Sequence, residues 1–294
     1  MPVPAALPPD AEIEERGDRV PAAAPTRNVL WQIELLAAAI VALVYLLAPR
    51  SQPSAELVRT AEDRGRALFE LERAWGLDVE AGLQDLVGAL HLQVPANWLY
   101  GSLHFVVTAF AFVSLLRRRP ALYARWRTAF VAASLVGFAV QTWWPVAPPR
   151  LVAGIDGTPL LADWLAQHPA LWSFESGPIS AVANHYSAMP SMHVGWAVLS
   201  AWALGVGRGT WGRRLAWSYP ALVAVVVVVT GNHFLLDVLA GVLVAAAGLA
   251  VVLWRTRTTR RRVERRDLAS GDGRGADEVP DGAARPRAHP CAGS

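Results

Sequence analysis

Apolar residues in this chain gather into long blocks instead of alternating with polar ones. Six blocks can be traced, at Val29–Ala48, Leu99–Leu116, Thr128–Trp144, Met192–Val206, Leu215–Thr230 and Phe234–Trp254. Most approach the roughly 20 residues that an α-helix needs to cross a hydrocarbon core, and the fourth is short. Trp31, Trp98, Trp143, Trp144, Trp211, Trp217 and Trp254 stand at or near block ends, where indole rings suit the headgroup level. The pattern predicts an all-α integral membrane protein built as a bundle of six transmembrane helices. Between the first two blocks, Pro49–Asn97 mixes Glu56, Glu62, Asp63, Glu70, Glu72, Asp78, Glu80 and Asp85 with apolar residues that recur at helical spacing from Glu56 to Trp75. That periodicity predicts an amphipathic helical segment lying on the membrane surface.

Composition strengthens the membrane reading. The chain is 53% hydrophobic with 13 Trp and a mean hydropathy of +0.29. The bland alternative, a buried helical core in a soluble protein, fits neither the block lengths nor the Trp placement. Residues 1–28 are rich in Pro, Ala and charge, and with no apolar run before Val29 they do not read as a cleavable signal peptide. They are expected to be a disordered cytoplasmic N-terminus, followed by a membrane domain over 29–254 and a disordered, Arg-rich cytoplasmic tail over 255–294. Cys291, the single cysteine, lies in that tail and allows no internal disulfide.

Charge fixes the orientation. A net charge of +3 and a pI near 9.5 would suit nucleic acid, but the arginines cluster beside the spans and no recognition motif accompanies them, so no nucleic-acid partner is expected. Arg117, Arg118, Arg119, Arg125 and Arg127 lie between blocks two and three, and Arg208, Arg213 and Arg214 between blocks four and five, with no acidic residue in either loop. Both loops are cytoplasmic by the positive-inside rule, which puts both termini inside and Pro49–Asn97 and Pro145–Pro190 outside. The expected location is the plasma membrane, with the site on the extracytoplasmic side.

Two short motifs interrupt the apolar blocks, Pro190-Ser191-Met192-His193 and Gly231-Asn232-His233-Phe234-Leu235-Leu236-Asp237. Ionisable groups at such positions are expensive, and function is the usual reason for them. With six spans, Ser191 and His193 open the fourth, His233 and Asp237 open the sixth, and Arg150 follows the third, so all five fall at the outer face and can converge. A spacing of four places His233 and Asp237 on one helix face, where the carboxylate can accept a hydrogen bond from one ring nitrogen and fix the tautomer. The other nitrogen is then free to attack phosphorus. His193 would serve as the acid and base for the leaving and incoming oxygens. Ser191, at a helix start after a proline, and Arg150, with its planar fork, suit phosphate oxygens. His104 in the second block reads equally well as a helix-to-helix hydrogen-bonding group. A metal site would need a third ligand that no His-rich or Cys-rich spacing supplies, so neither metal nor cofactor is expected. A non-catalytic scaffold would not require these residues in register at one leaflet, and a small-molecule transporter would show internally repeated halves, which are absent from the sequence.

At these motifs the chain resembles the type 2 phosphatidic acid phosphatase superfamily, whose signature is a Lys/Arg/Pro segment, then Pro-Ser-Gly-His, then Ser-Arg with a downstream His-x-x-x-Asp. Met192 replaces the usual Gly, Val227 the usual Arg, Trp143 a Lys, and Leu151 a Pro. The runs from Trp143 to Arg150 and from Asn184 to His193 look like the branch containing inositol phosphorylceramide synthases. The resemblance covers roughly Val29 to Trp254. It implies a metal-independent, six-helix membrane enzyme that cleaves a phosphoester of a phospholipid or polyprenyl phosphate through a phosphohistidine. The family's nucleophile carries onto His233, its acid/base onto His193, its orienting carboxylate onto Asp237, and its phosphate contacts onto Ser191 and Arg150. Backbone donors near Met192 and Gly231, or the side chains of Asn232, Tyr186 and His185, would compensate for the missing cations. The final acceptor is either water or a polyol hydroxyl such as that of inositol, and the residues do not choose between them.

Overall fold

The computed structural model describes residue 36 and residues 53–154, 157–168 and 184–269. Apart from a 3₁₀ turn and two isolated bridge pairs, Val146 with Ser187 and Ala153 with Pro159, the regular structure among these residues is α-helical. The helices are α1 (Ala55–Ala74), α2 (Glu80–Ala89), α3 (Gln93–Arg118), α4 (Pro120–Trp143), α5 (Trp164–Gln167), α6 (Met192–Gly205), α7 (Thr210–Val229) and α8 (Leu235–Ala269), with the 3₁₀ turn at Pro149–Leu151.

Local sequence explains the boundaries. Ser54 caps α1 by accepting the Leu57 N–H at 3.1 Å, and Pro120 opens α4, where its missing N–H costs nothing. Three helices are long and apolar enough to cross a membrane: α3, α7 and the Leu235–Trp254 part of α8. These contain the second, fifth and sixth sequence blocks. The third block lies in α4, which is long enough at 24 residues but falls short of the same apolarity. The fourth lies in α6, whose 14 residues are too few to span alone. Apart from Leu36, the first block lies outside the described residues, as do residues 1–28 and the tail beyond Ala269. The Arg-rich stretch after Trp254 begins as helix, since α8 continues to Ala269.

The main core lies among α3, α4, α6, α7 and the first part of α8, with Tyr123, Trp126, Phe130, Leu199 and Val227 at its centre. Trp126 donates its indole N–H to the Leu199 carbonyl at 2.8 Å, a bond that ties α4 to α6. Phe105, Val106 and Phe110 on α3, Trp211 and Leu215 on α7, and Leu239 and Leu243 on α8 are exposed. An apolar exterior of this extent fits a lipid surround better than water. Helices α6 and α8 approach closely where a Cβ on Gly241 would collide with the Ser191 carbonyl.

That close approach fixes the start of α6 against α8. Gly241→Ala is therefore expected to cost about 1–3 kcal/mol through overpacking. A thermal unfolding scan of the purified protein in detergent should show the lower midpoint. A midpoint equal to that of the unsubstituted chain would mean that the two helices part freely.

Candidate active site

The turn between α7 and α8 carries the second motif. Helix α7 ends at Val229, after which the Gly231 N–H bonds the Val228 carbonyl at 2.9 Å and the N–H groups of Asn232 and His233 both reach the Val227 carbonyl at 3.2 Å. Gly231 has φ +72°, the left-handed conformation that ends many helices and favours glycine. Space enforces the same choice, because a Cβ there would lie 3.1 Å from the Arg150 Cβ and 3.2 Å from the Ala162 carbonyl oxygen. The Arg150 N–H in turn donates to the Gly231 carbonyl at 3.1 Å. The second motif and the arginine are thus joined through backbone.

His233 precedes α8 instead of lying on it, so the expected shared helix face is replaced by a turn. Its spacing of four to Asp237 still brings the two side chains together, with Nδ1 3.6 Å from Asp237 Oδ2. That distance is too long for a hydrogen bond. Nδ1 lies 2.8 Å from the Ala188 carbonyl. A carbonyl can only accept, so Nδ1 carries a proton, and in the neutral ring Nε2 is the nitrogen with the lone pair. The sequence assigned this tautomer to the Asp237 carboxylate, and the assignment is corrected: Asp237 Oδ2 accepts the Phe234 N–H at 2.8 Å and caps its own helix. The consequence for Nε2 is unchanged.

The first motif meets this turn from α6. The ring centroid of His193 lies 5.7 Å from that of His233. Tyr100 stacks on the His193 ring at 4.6 Å, and His104 meets it edge-on at 4.3 Å. Both come from α3, one helical turn apart, so the ring is held by a wall that the sequence only half disclosed. His104 was visible as an ionisable residue in an apolar block. Tyr100 carried no signal except its spacing of four from His104. Ser191 is fully buried, makes no capping bond to α6, and has an Oγ with no hydrogen-bond partner among the described residues. Its N–H donates to the Asp237 carbonyl at 3.0 Å, which sets the start of α6 against the start of α8.

Arg150 is 7% exposed. Its Nε donates to Asn232 Oδ1 at 3.1 Å and one terminal nitrogen donates to Asp163 Oδ2 at 2.9 Å. Asn232 is itself oriented by its amide, which donates to Thr230 Oγ1 at 3.0 Å. Asp163 also caps α5, accepting the Ala166 N–H at 3.1 Å. The sequence missed Asp163, since it stands in an aperiodic loop outside every motif. Tyr186 packs with the cluster around Phe234. Burial raises its phenol above the usual range, the charge of Glu62 adds to the rise, and the Arg150 guanidinium works against it. All seven residues selected from sequence as catalytic or phosphate-binding, Arg150, Tyr186, Ser191, His193, Asn232, His233 and Asp237, therefore fall around one turn. His185 adjoins Tyr186 in the chain and is half-buried.

The fold and the site define an all-helical protein with membrane-length apolar helices and two histidines, an aspartate and a buried guanidinium gathered at helix starts. The profile of the PAP2 superfamily matches residues 66–251, and the chain belongs to that superfamily, whose members are generally phosphatases. No curated protein matches the chain, and no solved structure does.

The Ala188 contact generates a direct test. In ¹⁵N-histidine-labelled protein in micelles, long-range ¹H–¹⁵N correlation at neutral pH should show His233 protonated at Nδ1 and bare at Nε2. Asp237→Asn should leave that pattern in place, because the acceptor is a backbone carbonyl. A switch of tautomer in Asp237→Asn would return the role to the carboxylate.

Proposed function

We propose that this chain is a six-span membrane phosphatase or head-group phosphotransferase that acts at the outer leaflet through a phosphohistidine on His233. The observation that carries the reading is the contact from His233 Nδ1 to the Ala188 carbonyl, which in a neutral ring leaves Nε2 as the nucleophile, with the His193 ring 5.7 Å away. Nε2 attacks phosphorus, the P–O bond to the leaving alcohol breaks, and protonated His193 delivers its proton to that oxygen. Neutral His193 then takes the proton of water or an alcohol, whose oxygen attacks the phosphohistidine and restores both rings. Ser191 Oγ and the uncapped first turn of α6 are the donors proposed for the phosphoryl oxygens, and Arg150 supplies the fixed positive charge. Asp237 stabilises the charge that forms on His233. The histidines and Arg150 do the work of a Lewis acid here, so the reading is metal-independent.

Charge balance favours a phosphodiester over a phosphomonoester. Among the described residues, hydrogen bonds place one guanidinium at the His233 turn, and Asp163 already pairs with it. A monoester dianion would bring two negative charges to a site whose cation is largely neutralised, whereas a diester brings one. That supports the head-group transfer suggested by the likeness to inositol phosphorylceramide synthases, in which a lipid diester gives up its polyol phosphate to a second hydroxyl. The decisive assay gives protein in lipid vesicles a panel of phospholipids and polyprenyl phosphates, with and without polyol or lipid-alcohol acceptors, and measures released phosphate and new lipid together.

On the substrate that turns over, His233→Ala should abolish activity, and Asp237→Asn should lower it roughly ten- to a hundredfold, because the charge that forms on His233 loses its neighbouring carboxylate while the bond to Ala188 keeps the tautomer. EDTA should leave the rate nearly unchanged and vanadate should inhibit. Activity surviving in His233→Ala sinks the phosphohistidine, and EDTA loss restored by a divalent ion sinks the metal-independent route.

Orientation has its own test. With Cys291→Ser as background, Asp85→Cys on exposed α2 should react with a membrane-impermeant maleimide added to intact cells, whereas Thr210→Cys at the start of α7 should react only after permeabilisation. Labelling of Thr210→Cys from outside would invert the topology.

A further inference from the structure

The first turn of α8 is held by residues that neither motif contains. The N–H of Leu235 donates to Glu80 Oε1 at 3.0 Å and the N–H of Leu236 donates to Glu72 Oε1 at 2.6 Å. These are the two residues directly after His233-Phe234 and directly before Asp237. Asp237 itself covers only the Phe234 N–H, and the first turn of a helix leaves its N–H groups without intrahelical partners. Two glutamates from α1 and α2 therefore complete a cap that α8 cannot supply.

Their burial is costly. Glu72 is fully buried and Glu80 is 4% exposed, although both come from a segment that the sequence places outside the spans. A carboxyl group removed from water costs several kcal/mol unless it is bonded, and apolar residues of similar volume would pack as well or better. Burial holds the Glu72 carboxyl well above the usual carboxylate range, the adjoining Glu80 carboxyl adds to the rise, and the Leu236 N–H works against it. Gln84, four residues after Glu80, is anchored equally deeply. Its amide donates to the Ala162 carbonyl at 3.0 Å and to the Val229 carbonyl at 2.9 Å, and its oxygen accepts the Ala162 N–H at 2.8 Å. Helix α2 is thereby bonded to the end of α7 and to the loop that carries Asp163, on the far side of the same turn. The outer helices do not simply lie over the site. They grip both ends of the segment that carries His233.

We propose that Glu72 and Glu80 are positioning residues for the reaction at His233: by holding the Leu235 and Leu236 N–H groups they fix the turn between the histidine and the aspartate, and so the direction of the histidine's Nε2. This rests on the reading of His233 as nucleophile for its kinetic consequence, but not for its structural one. A displacement of about 1 Å in a reacting group can cost on the order of a hundredfold in rate. Glu72→Gln keeps the carbonyl oxygen that accepts the Leu236 N–H and mimics the protonated acid, whereas Glu72→Ala removes the acceptor and leaves a cavity.

The test compares Glu72→Ala, Glu72→Gln and Glu80→Ala as folded, monodisperse protein with two readouts. Kinetics on the substrate found in the vesicle panel should show kcat lowered roughly ten- to a hundredfold in Glu72→Ala with KM little changed, and Glu72→Gln within about threefold of the parent. The second readout needs no substrate: the rate at which diethyl pyrocarbonate modifies His233, followed by peptide mass spectrometry. It should rise several-fold in Glu72→Ala as the bond to Ala188 loosens, and stay at the parent value in Glu72→Gln. If Glu72→Ala does not accumulate folded, Glu80→Ala is expected to show the same two changes. Labelling rates equal to the parent in the alanine variants, or Glu72→Gln behaving like Glu72→Ala, would overturn the proposal and leave a purely structural pair. A parent chain inert toward every phosphate ester would overturn the phosphohistidine reading instead, with the labelling arm still deciding whether the glutamates position His233.

Discussion

Backbone N–H groups at a helix start must find acceptors, and in an apolar bundle water cannot provide them. The first turn of α8 meets this constraint with three carboxyl groups, one each for Phe234, Leu235 and Leu236. One comes from α8 itself and two from the outer helices. The carbonyl of the same Asp237 receives the Ser191 N–H, so the turn that the carboxyl groups hold is also the surface against which α6 begins. His233 leads into that turn and His193 opens the helix that rests on it. Loosening one bonded turn would displace both rings.

The extent to which the sequence disclosed this arrangement follows the kind of partner involved. Long apolar blocks were legible because helices in lipid are apolar all round, and three of them are helices of spanning length. The motif residues were legible because a His or Asp in such a block has few cheap explanations. What escaped were contacts to backbone. The Ala188 carbonyl that fixes His233 carries no residue-type signal, since every residue has a carbonyl, and Asp237, a visible side chain, was credited with the bond instead. His233 leaves the helix for a related reason. Gly231 ends α7 at a place where any side chain would strike Arg150, and a spacing of four says nothing about a turn closed that way.

Glu72 and Glu80 escaped through the logic of amphipathic periodicity. Helical spacing of apolar residues from Glu56 to Trp75 sorts the acids between them with the solvent by default, and that is right for Glu56 and Glu70, which are exposed. It fails for an acid whose acceptor capacity is wanted by a distant helix start, because the demand arises 155 and 164 residues away along the chain. Asp163 is a parallel case. Its loop has no period, and its value lies in closing one end of the Arg150 fork.

The two helix starts at the site divide their electrostatics in opposite senses. A helix N-terminus favours an anion through its free N–H groups and its dipole. At α8 that capacity is spent on Asp237, Glu72 and Glu80, so an incoming phosphate would meet carboxyl oxygens there instead of free donors. At α6 the N-cap hydroxyl of Ser191 is buried and makes no capping bond. Under the proposed mechanism the phosphoryl group therefore lies on the α6 side of His233, between the Ser191 end and Arg150, and the histidine attacks from the side of the carboxyl groups. Under the same proposal, this division would let the site work without the second arginine and the lysine of the superfamily signature. On that mechanism the Asp237 carboxylate beside His233 would favour the imidazolium character gained with the phosphoryl group, while the donors at α6 would need to offset only the single charge of a diester. A site with three cations would bind a dianion more tightly, but it would also oppose the positive charge building on the nucleophile.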